Sequence, residues 1–313
     1  MVASSTTRSI TAAEIESLCS FEEALDSQQQ VFLAHEAKQT VLGPRAMISQ
    51  GENAQFAYIA RASKDGPTIV KFGTVVPSNS QRDIPVVQTN IAVMDATTGS
   101  ATTFLDGEAV TKLRTVAASI VAAQHLANPP SKVAIVGLGH QGIAHAKAVK
   151  KIFKPSQLIG ISRPSKSNEI IKNNPSLFTS ITDDLSTTGA CDLIFLCTNS
   201  SSPVLTQQIA AGATCISIGS FAPNRAEVAP ELVADADQVV VDDCEISSAQ
   251  CGAVKNAISI SGRKWSEIRS LGGAIKDGGR RSPHERIFFF SVGLGIQDAA
   301  IAEIILTRLN SQG

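Results

Sequence analysis

The segment Gly137-Leu138-Gly139-His140-Gln141-Gly142 spells G-x-G-x-x-G. That spacing permits a tight turn and lets backbone N–H groups close on a pyrophosphate, whose charge a helix N-terminus favours. An apolar strand run precedes it, a helix-length segment follows, and a second strand comes about twenty residues on. The alternative is a strand–helix turn that uses glycine only for packing. His140 and Gln141 fill the variable positions of the turn and either touch the pyrophosphate or simply occupy the loop.

The end of that second strand should choose between nucleotides. An acid there would hold the adenosine ribose hydroxyls, but the chain reads Ser162-Arg163-Pro164-Ser165-Lys166. A guanidinium binds a 2′-phosphate bidentately, so Ser162 and Arg163 point to NADPH, with NADH as the alternative. A solvated surface loop is the other reading. Cys197-Thr198-Asn199-Ser200 follows a further strand run, at the C-terminal edge where open sheets receive ligands. Thr198, Asn199 and Ser200 are therefore expected near the pyrophosphate and the nicotinamide ribose.

Three cations stand out by position: Arg45 after Gly43-Pro44, Lys71 inside an apolar strand, and Arg114 in an Ala-rich helix expected from Thr111 to Ala127. A cation in the first turns of a helix opposes its dipole and implies an anion nearby. For each cation taken singly, a solvated side chain is the plainer reading. His145 reads as a helix-surface residue. His35, His125 and His284 have no metal-ligand spacing, so no metal is expected. Cys19, Cys191, Cys197, Cys215, Cys244 and Cys251 form no CxxC pair and read as thiols of a reducing, cytoplasmic compartment.

The elements that must position these groups fall into two styles. Apolar spacing from Ile10 to Lys38 gives a helix pattern broken near Cys19 and Ser20, and the terminal segment another, with Ile296, Ala300 and Ile304 on one face and Asp298, Glu303 and Arg308 elsewhere. Short β-rich pieces between Met47 and Phe104 are separated by turn clusters, an α+β texture. After Asn128-Pro129-Pro130 come Lys132–Val136, Gln157–Ile161, Asp192–Leu196, Thr214–Ile218 and Gln238–Val241. Their continuous apolar runs, separated by helix-length segments, predict a Rossmann-type doubly wound parallel sheet. The fold class is thus α/β, with a second, α+β domain over residues 1–125 and 292–313 beside a dinucleotide domain over residues 126–291.

Length and composition agree. The 313 residues exceed what one core usually serves. A formal charge of −1 offers no footprint for nucleic acid or an anionic membrane, and 4% aromatics leave little for stacking bases. No apolar run approaches the roughly 20 residues of a membrane helix, and the Ser/Thr-rich start has no secretory h-region.

Over nearly its whole length the chain resembles the ornithine cyclodeaminase/μ-crystallin family. The carrying pieces are Lys71 with Pro77-Ser78-Asn79, Thr111-x-x-Arg114-Thr115-Val116-Ala117-Ala118, Gly137-Leu138-Gly139, Cys197-Thr198-Asn199-Ser200-x-x-Pro203, Gly219-Ser220-Phe221-Ala222-Pro223 leading to Glu227, and Ser291-Val292-Gly293-Leu294-Gly295-Ile296-Gln297-Asp298. The resemblance implies that Arg45, Lys71 and Arg114 surround a substrate α-carboxylate. It also implies that Thr115 and the Ser291–Gly293 stretch, with Val292 and Gly293, lie near the cofactor, and that the protein is a homodimer. Cyclodeaminases carry a catalytic Asp where this chain has Phe221, which can neither accept from an ammonium nor act as a base. The Gly-Ser-Phe-x-Pro form is similar to the Δ1-pyrroline-2-carboxylate (ketimine) reductase branch. The implied activity is NAD(P)H-dependent reduction of a cyclic imine carboxylate. Without the Asp, Lys71 is the best remaining acid for the imine nitrogen, the alternative being that it only binds charge, and Phe221 either packs against the ring or simply beneath the sheet edge. An ornithine cyclodeaminase, an alanine dehydrogenase and a non-enzymatic NADPH-binding crystallin-like protein are the alternatives.

Overall fold

The computed structural model describes residues 7–82 and 84–311. The chain opens with β1 (Arg8–Ile10), α1 (Ala12–Leu18), α2 (Phe21–Glu36), β2 (Val41–Leu42), β3 (Ala46–Gln50), β4 (Asn53–Arg61), β5 (Thr68–Val75), β6 (Val87–Met94), β7 (Ala101–Asp106) and α3 (Gly107–Leu126). The helix pattern breaks at Cys19 and Ser20 as expected, and two capping boxes explain why. Thr11 pairs reciprocally with Glu14, and Ser20 with Glu23, so each helix satisfies its own first donors. The strands form a mostly antiparallel sheet in the order β1-β7-β6-β5-β4-β2, with β3 also paired to β4.

From Lys132 onward the pattern is parallel: β8 (Lys132–Val136), α4 (His140–Ile152), β9 (Gln157–Ile161), α5 (Pro164–Asn173), β10 (Ser180–Thr182), β11 (Leu193–Leu196), β12 (Thr214–Ser217), α6 (Pro230–Ala234), β13 (Gln238–Val241), α7 (Cys244–Gln250), α8 (Gly252–Ser261), β14 (Arg269–Ser270), α9 (Leu271–Lys276) and β15 (Ile287–Phe290). The sheet order is β10-β9-β8-β11-β12-β15-β13-β14, every pair parallel. All five expected strands are present, so the doubly wound sheet stands. Phe288-Phe289-Phe290, expected only as a closing stretch, is an interior strand. It lies between β12 and β13 with its three rings buried on both faces. Strand order reverses between β8 and β11, which places the ligand crevice of such sheets at the loops following those two strands.

The C-terminal helix α10 (Gly295–Ser311) returns to the first unit, where it packs on α2, β4 and β5. The division runs after Ala117 and before Leu294, with Ala118–Gly293 as the second unit. It therefore falls inside α3, eight residues earlier than the sequence boundary at 125, because the Pro129-Pro130 stop marks the end of a helix and not of a packing unit. Helix α3 itself starts a turn earlier than Thr111, where Asp106 accepts from the Ala109 amide at 2.9 Å. Arg114 is thus two turns into the helix, and the dipole argument for an anion beside it lapses, since that field fades beyond the first turn. No described helix is long and apolar enough to cross a membrane.

Candidate functional site

In the first unit the antiparallel register sets Tyr58 of β4 directly opposite Lys71 of β5. Alternation puts both side chains on the face that α10 covers. The helix can approach because Gly295 meets Tyr58 there; a Cβ on it would lie 2.8 Å from the ring. Three residues on, and so on the same side of the helix, Asp298 reaches both: its Oδ1 is 2.8 Å from Lys71 Nζ and its Oδ2 accepts from Tyr58 Oη at 2.8 Å. Lys71 also donates to Thr111 Oγ1 of α3. One turn along α3, Arg114 lies with Nε 3.6 Å from Asp298 and donates from Nη1 to Gln297 at 3.2 Å. Arg45 is stacked 5.4 Å over the Tyr58 ring.

Lys71 and Arg114 therefore share a single carboxylate, and Lys71 and Asp298 are out of solvent. Burial lowers the Lys71 ammonium from its ordinary 10.5 to about 8; Asp298 pulls the other way, while Arg114 and Arg45 add to the fall. Burial alone would raise the Asp298 carboxyl, but Lys71, Arg114 and the Tyr58 hydroxyl together hold it below the usual range. Tyr58 is pushed well up, first by burial and then by Asp298. The sequence-predicted cations thus gather around Tyr58 and Asp298. What the sequence reading missed is their counter-charge. Asp298 was expected away from the packed face of the terminal helix, yet the helix is covered on more than one side and Asp298 is fully buried. The signal was present: Asp298 is the last residue of the Ser291–Asp298 motif. Thr115, one residue beyond Arg114, is buried on α3.

In the second unit the turn Gly137–Gly142 joins β8 to α4. Gly137 has φ +87°, and a Cβ on it would sit 2.7 Å from the Cys197 carbonyl oxygen; one on Gly142 would sit 1.9 Å from that of Gly137. Gly139 differs: a Cβ there would meet nothing within 4 Å. Its bareness keeps open the space before α4, whose N-terminus has no side-chain cap. These are the features a dinucleotide pyrophosphate requires, so the turn fits the expected cofactor. His140 is exposed in the first helical turn and Gln141 is half-buried beside it. His145 is a correction. It is wholly buried, Nδ1 2.8 Å from the Gln141 carbonyl oxygen and the ring 5.5 Å from Phe195, and burial lowers it to about 4, so it is neutral.

Ser162 and Arg163 follow β9, with Arg163 exposed at the N-cap of α5 and Pro164 in its first turn. Thr198, Asn199 and Ser200 follow β11 at the switch point. Asp242, at the end of β13, accepts from Ser291 Oγ at 3.1 Å, Val292 N at 2.9 Å and Gly293 N at 2.8 Å, fixing the stretch after β15. Phe221 is carried by this unit, 39% exposed, with the Arg225 guanidinium 4.9 Å over its ring. Cys19, Cys191, Cys215 and Cys251 are buried, whereas Cys197 and Cys244 are partly accessible. Burial pushes the Cys191 thiol up to about 11 and Cys19 and Cys251 to about 12, which leaves them unreactive.

Residues 7–313 match the profile of the ornithine cyclodeaminase/mu-crystallin family. A Δ1-pyrroline-2-carboxylate reductase of Bacillus cereus is 28% identical over 318 residues, covering 97% of each chain. An alanine dehydrogenase of Archaeoglobus fulgidus is 25% identical over 95% of this chain and 93% of its own. Among solved structures, the Thermococcus litoralis Δ1-pyrroline-2-carboxylate reductase in complex with NADH and L-proline superimposes with a TM-score of 0.90, at 23% identity over 98% of both chains. By a match that takes in both units and every motif described above, this chain belongs to the ornithine cyclodeaminase/mu-crystallin family.

Proposed function

We propose that this chain is an NAD(P)H-dependent reductase of cyclic imine carboxylates, converting Δ1-pyrroline-2-carboxylate to L-proline and, by the same chemistry, Δ1-piperideine-2-carboxylate to L-pipecolate. The observation that carries this reading is the cluster of Lys71, Asp298 and Tyr58 beside Arg114 and Arg45: a titratable ammonium set among groups that bind an anion. The reductase relatives, matched end to end, support it.

In this reading Arg45 and Arg114 hold the substrate carboxylate and so fix the plane of the ring. Lys71, protonated below about pH 8, gives its proton to the imine nitrogen. Asp298 and Thr111 aim that ammonium. The turn Gly137–Gly142 with His140 and Gln141, the loop Thr198–Ser200, Thr115, Val292 and Gly293 would hold the nucleotide, which when bound supplies a hydride. Arg163, with Ser162 and no acid at the end of β9, makes NADPH the favoured form. Phe221 offers an apolar surface to the ring where a cyclodeaminase needs an acid. A protein that merely bound ligand would have no use for an ammonium held at about 8.

The assembly we propose is a homodimer through the first unit. The sheet face opposite Tyr58 and Lys71 shows Ile59 and Phe72 at 52% and 40% exposure, an apolar surface that asks for cover. The compartment we propose is the reducing cytoplasm, in keeping with six cysteines that form no CxxC pair. The test is nucleotide oxidation with the five-membered imine, with pyruvate plus ammonia, and with neither, and ammonia release from ornithine in the presence of NAD, a conversion that leaves the nucleotide unchanged overall. Turnover with the imine alone supports the reading; turnover only with pyruvate and ammonia replaces it with an amino-acid dehydrogenase.

A further inference from the structure

Glu227 is fully buried, yet its side chain accepts four hydrogen bonds at the C-terminal edge of the parallel sheet. Oε1 accepts from Thr198 N and Thr198 Oγ1, both at 2.7 Å, and Oε2 accepts from Ser217 Oγ and Gly219 N, both at 2.7 Å. With two donors on each oxygen and no solvent contact, the carboxylate has no free position from which to serve a reacting group. What it does is join two loops. Thr198 belongs to the loop after β11 and Gly219 to the loop after β12, which leads to Phe221.

The contact continues to the nucleotide turn. Gly219 has no room for a side chain, a Cβ there lying 2.4 Å from the Thr198 carbonyl oxygen and 2.5 Å from Glu227 Cδ. Gly137 in turn lies against the same β11 loop, where a Cβ would be 2.9 Å from Thr198 Cγ2. We infer that Glu227 is a positioning residue for nucleotide binding: it clamps Thr198 between the Gly219 loop and the glycine turn, setting the height of the pyrophosphate cradle. This rests on the nucleotide reading of the Gly137–Gly142 turn. The main chain of Glu227 is anchored separately, its carbonyl accepting from Val204 N at 2.8 Å and Leu205 N at 2.9 Å. A side-chain substitution therefore leaves the local backbone stitched in place.

Glu227→Gln is the informative change, because its amide NH2 must face either the Thr198 or the Gly219 amide, and two donors cannot pair. NADH and NADPH dissociation constants should rise about tenfold in E227Q. The imine KM at saturating nucleotide should move little. In nucleotide-free protein the Thr198 and Gly219 amide protons should resonate downfield in the wild type, and at least one should move upfield in E227Q. Ser217→Ala, which removes one donor and keeps the carboxylate, should give a smaller loss of affinity and serves if E227Q does not fold. A variant with a lower melting temperature but nucleotide affinity within about twofold of wild type would overturn the inference. A wild type that binds no nucleotide, with the amide shifts still responding to E227Q, would instead sink the nucleotide reading and the positioning role with it, leaving only the clamp.

Discussion

Lys71 and Asp298 lie 2.8 Å apart with neither side chain open to solvent, one on a strand of the antiparallel sheet and the other on the C-terminal helix. A buried pair of this kind is weak evidence for stability, since desolvation offsets most of the attraction. Its value lies in what it does to the ammonium. Burial draws Lys71 down to about 8 and Asp298 keeps it from falling further. If the ammonium is the proton donor, activity is full below pH 8 and is lost as the pH rises through about 8. Asp298→Asn removes the attraction and leaves burial and the two arginines unopposed, so the alkaline limb should move to lower pH. Lys71→Met should cost about 10²–10⁴ in kcat. The check is the pH profile of kcat for wild type and D298N; an unmoved limb would show that Lys71 is not the titrating group.

Arg114 is held by Gln297 and sits beside Asp298, an arrangement that fixes the guanidinium for a planar partner. Lysine at that position keeps the charge and loses the fork. Arg114→Lys should raise the imine KM by about tenfold to a hundredfold while nucleotide affinity stays unchanged. Steady-state kinetics with each substrate varied in turn would decide it. Unchanged kinetics would remove Arg114 from the carboxylate site.

The glycines of the nucleotide turn should separate folding from binding. A side chain at Gly142 would strike the Gly137 carbonyl oxygen, so Gly142→Ala should destabilise the second unit. At Gly139 an added Cβ meets no protein atom within 4 Å, so Gly139→Ala should melt close to the wild type yet weaken nucleotide binding. Thermal unfolding and nucleotide titration on the two variants give the contrast; equal effects on both would contradict it.

Arg163 is exposed at the N-cap of α5 with no carboxylate at the end of β9. Arg163→Ala should weaken NADPH by about tenfold and leave NADH nearly unaltered. Parallel losses for both nucleotides would place the guanidinium away from the 2′-phosphate.

Much of this was written in local pattern. The parallel strands declare themselves as apolar runs such as Lys132–Val136, and the paired capping boxes at Thr11 and Ser20 explain the break between the first helices. Lys71 stood out because a charge inside an apolar strand needs a reason. Asp298 did not, because an acid on a helix that carries an apolar stripe is ordinarily solvated, and its burial depends on β4 and β5, more than two hundred residues earlier in the chain. His145 was misread for the same reason: helix periodicity cannot show that β11 and Phe195 lie beneath it. The place of Phe288–Phe290 inside the sheet is likewise a matter of long-range pairing with β12 and β13, not of local sequence. Ends of elements were the other weak point, as the earlier start of α3 moved Arg114 away from the helix terminus.

The proposed reaction is hydride delivery to a C=N carbon that bears a carboxylate. Reaction of Δ1-pyrroline-2-carboxylate with reduced nicotinamide nucleotide deuterated at C4, on the transferred face, tests it most directly, with product analysed by mass spectrometry and proton NMR. The expected product is L-proline with a single deuterium at Cα, formed without added ammonia. Proline without deuterium, or nucleotide oxidation only when ammonia and an open-chain 2-oxo acid are supplied, would contradict it.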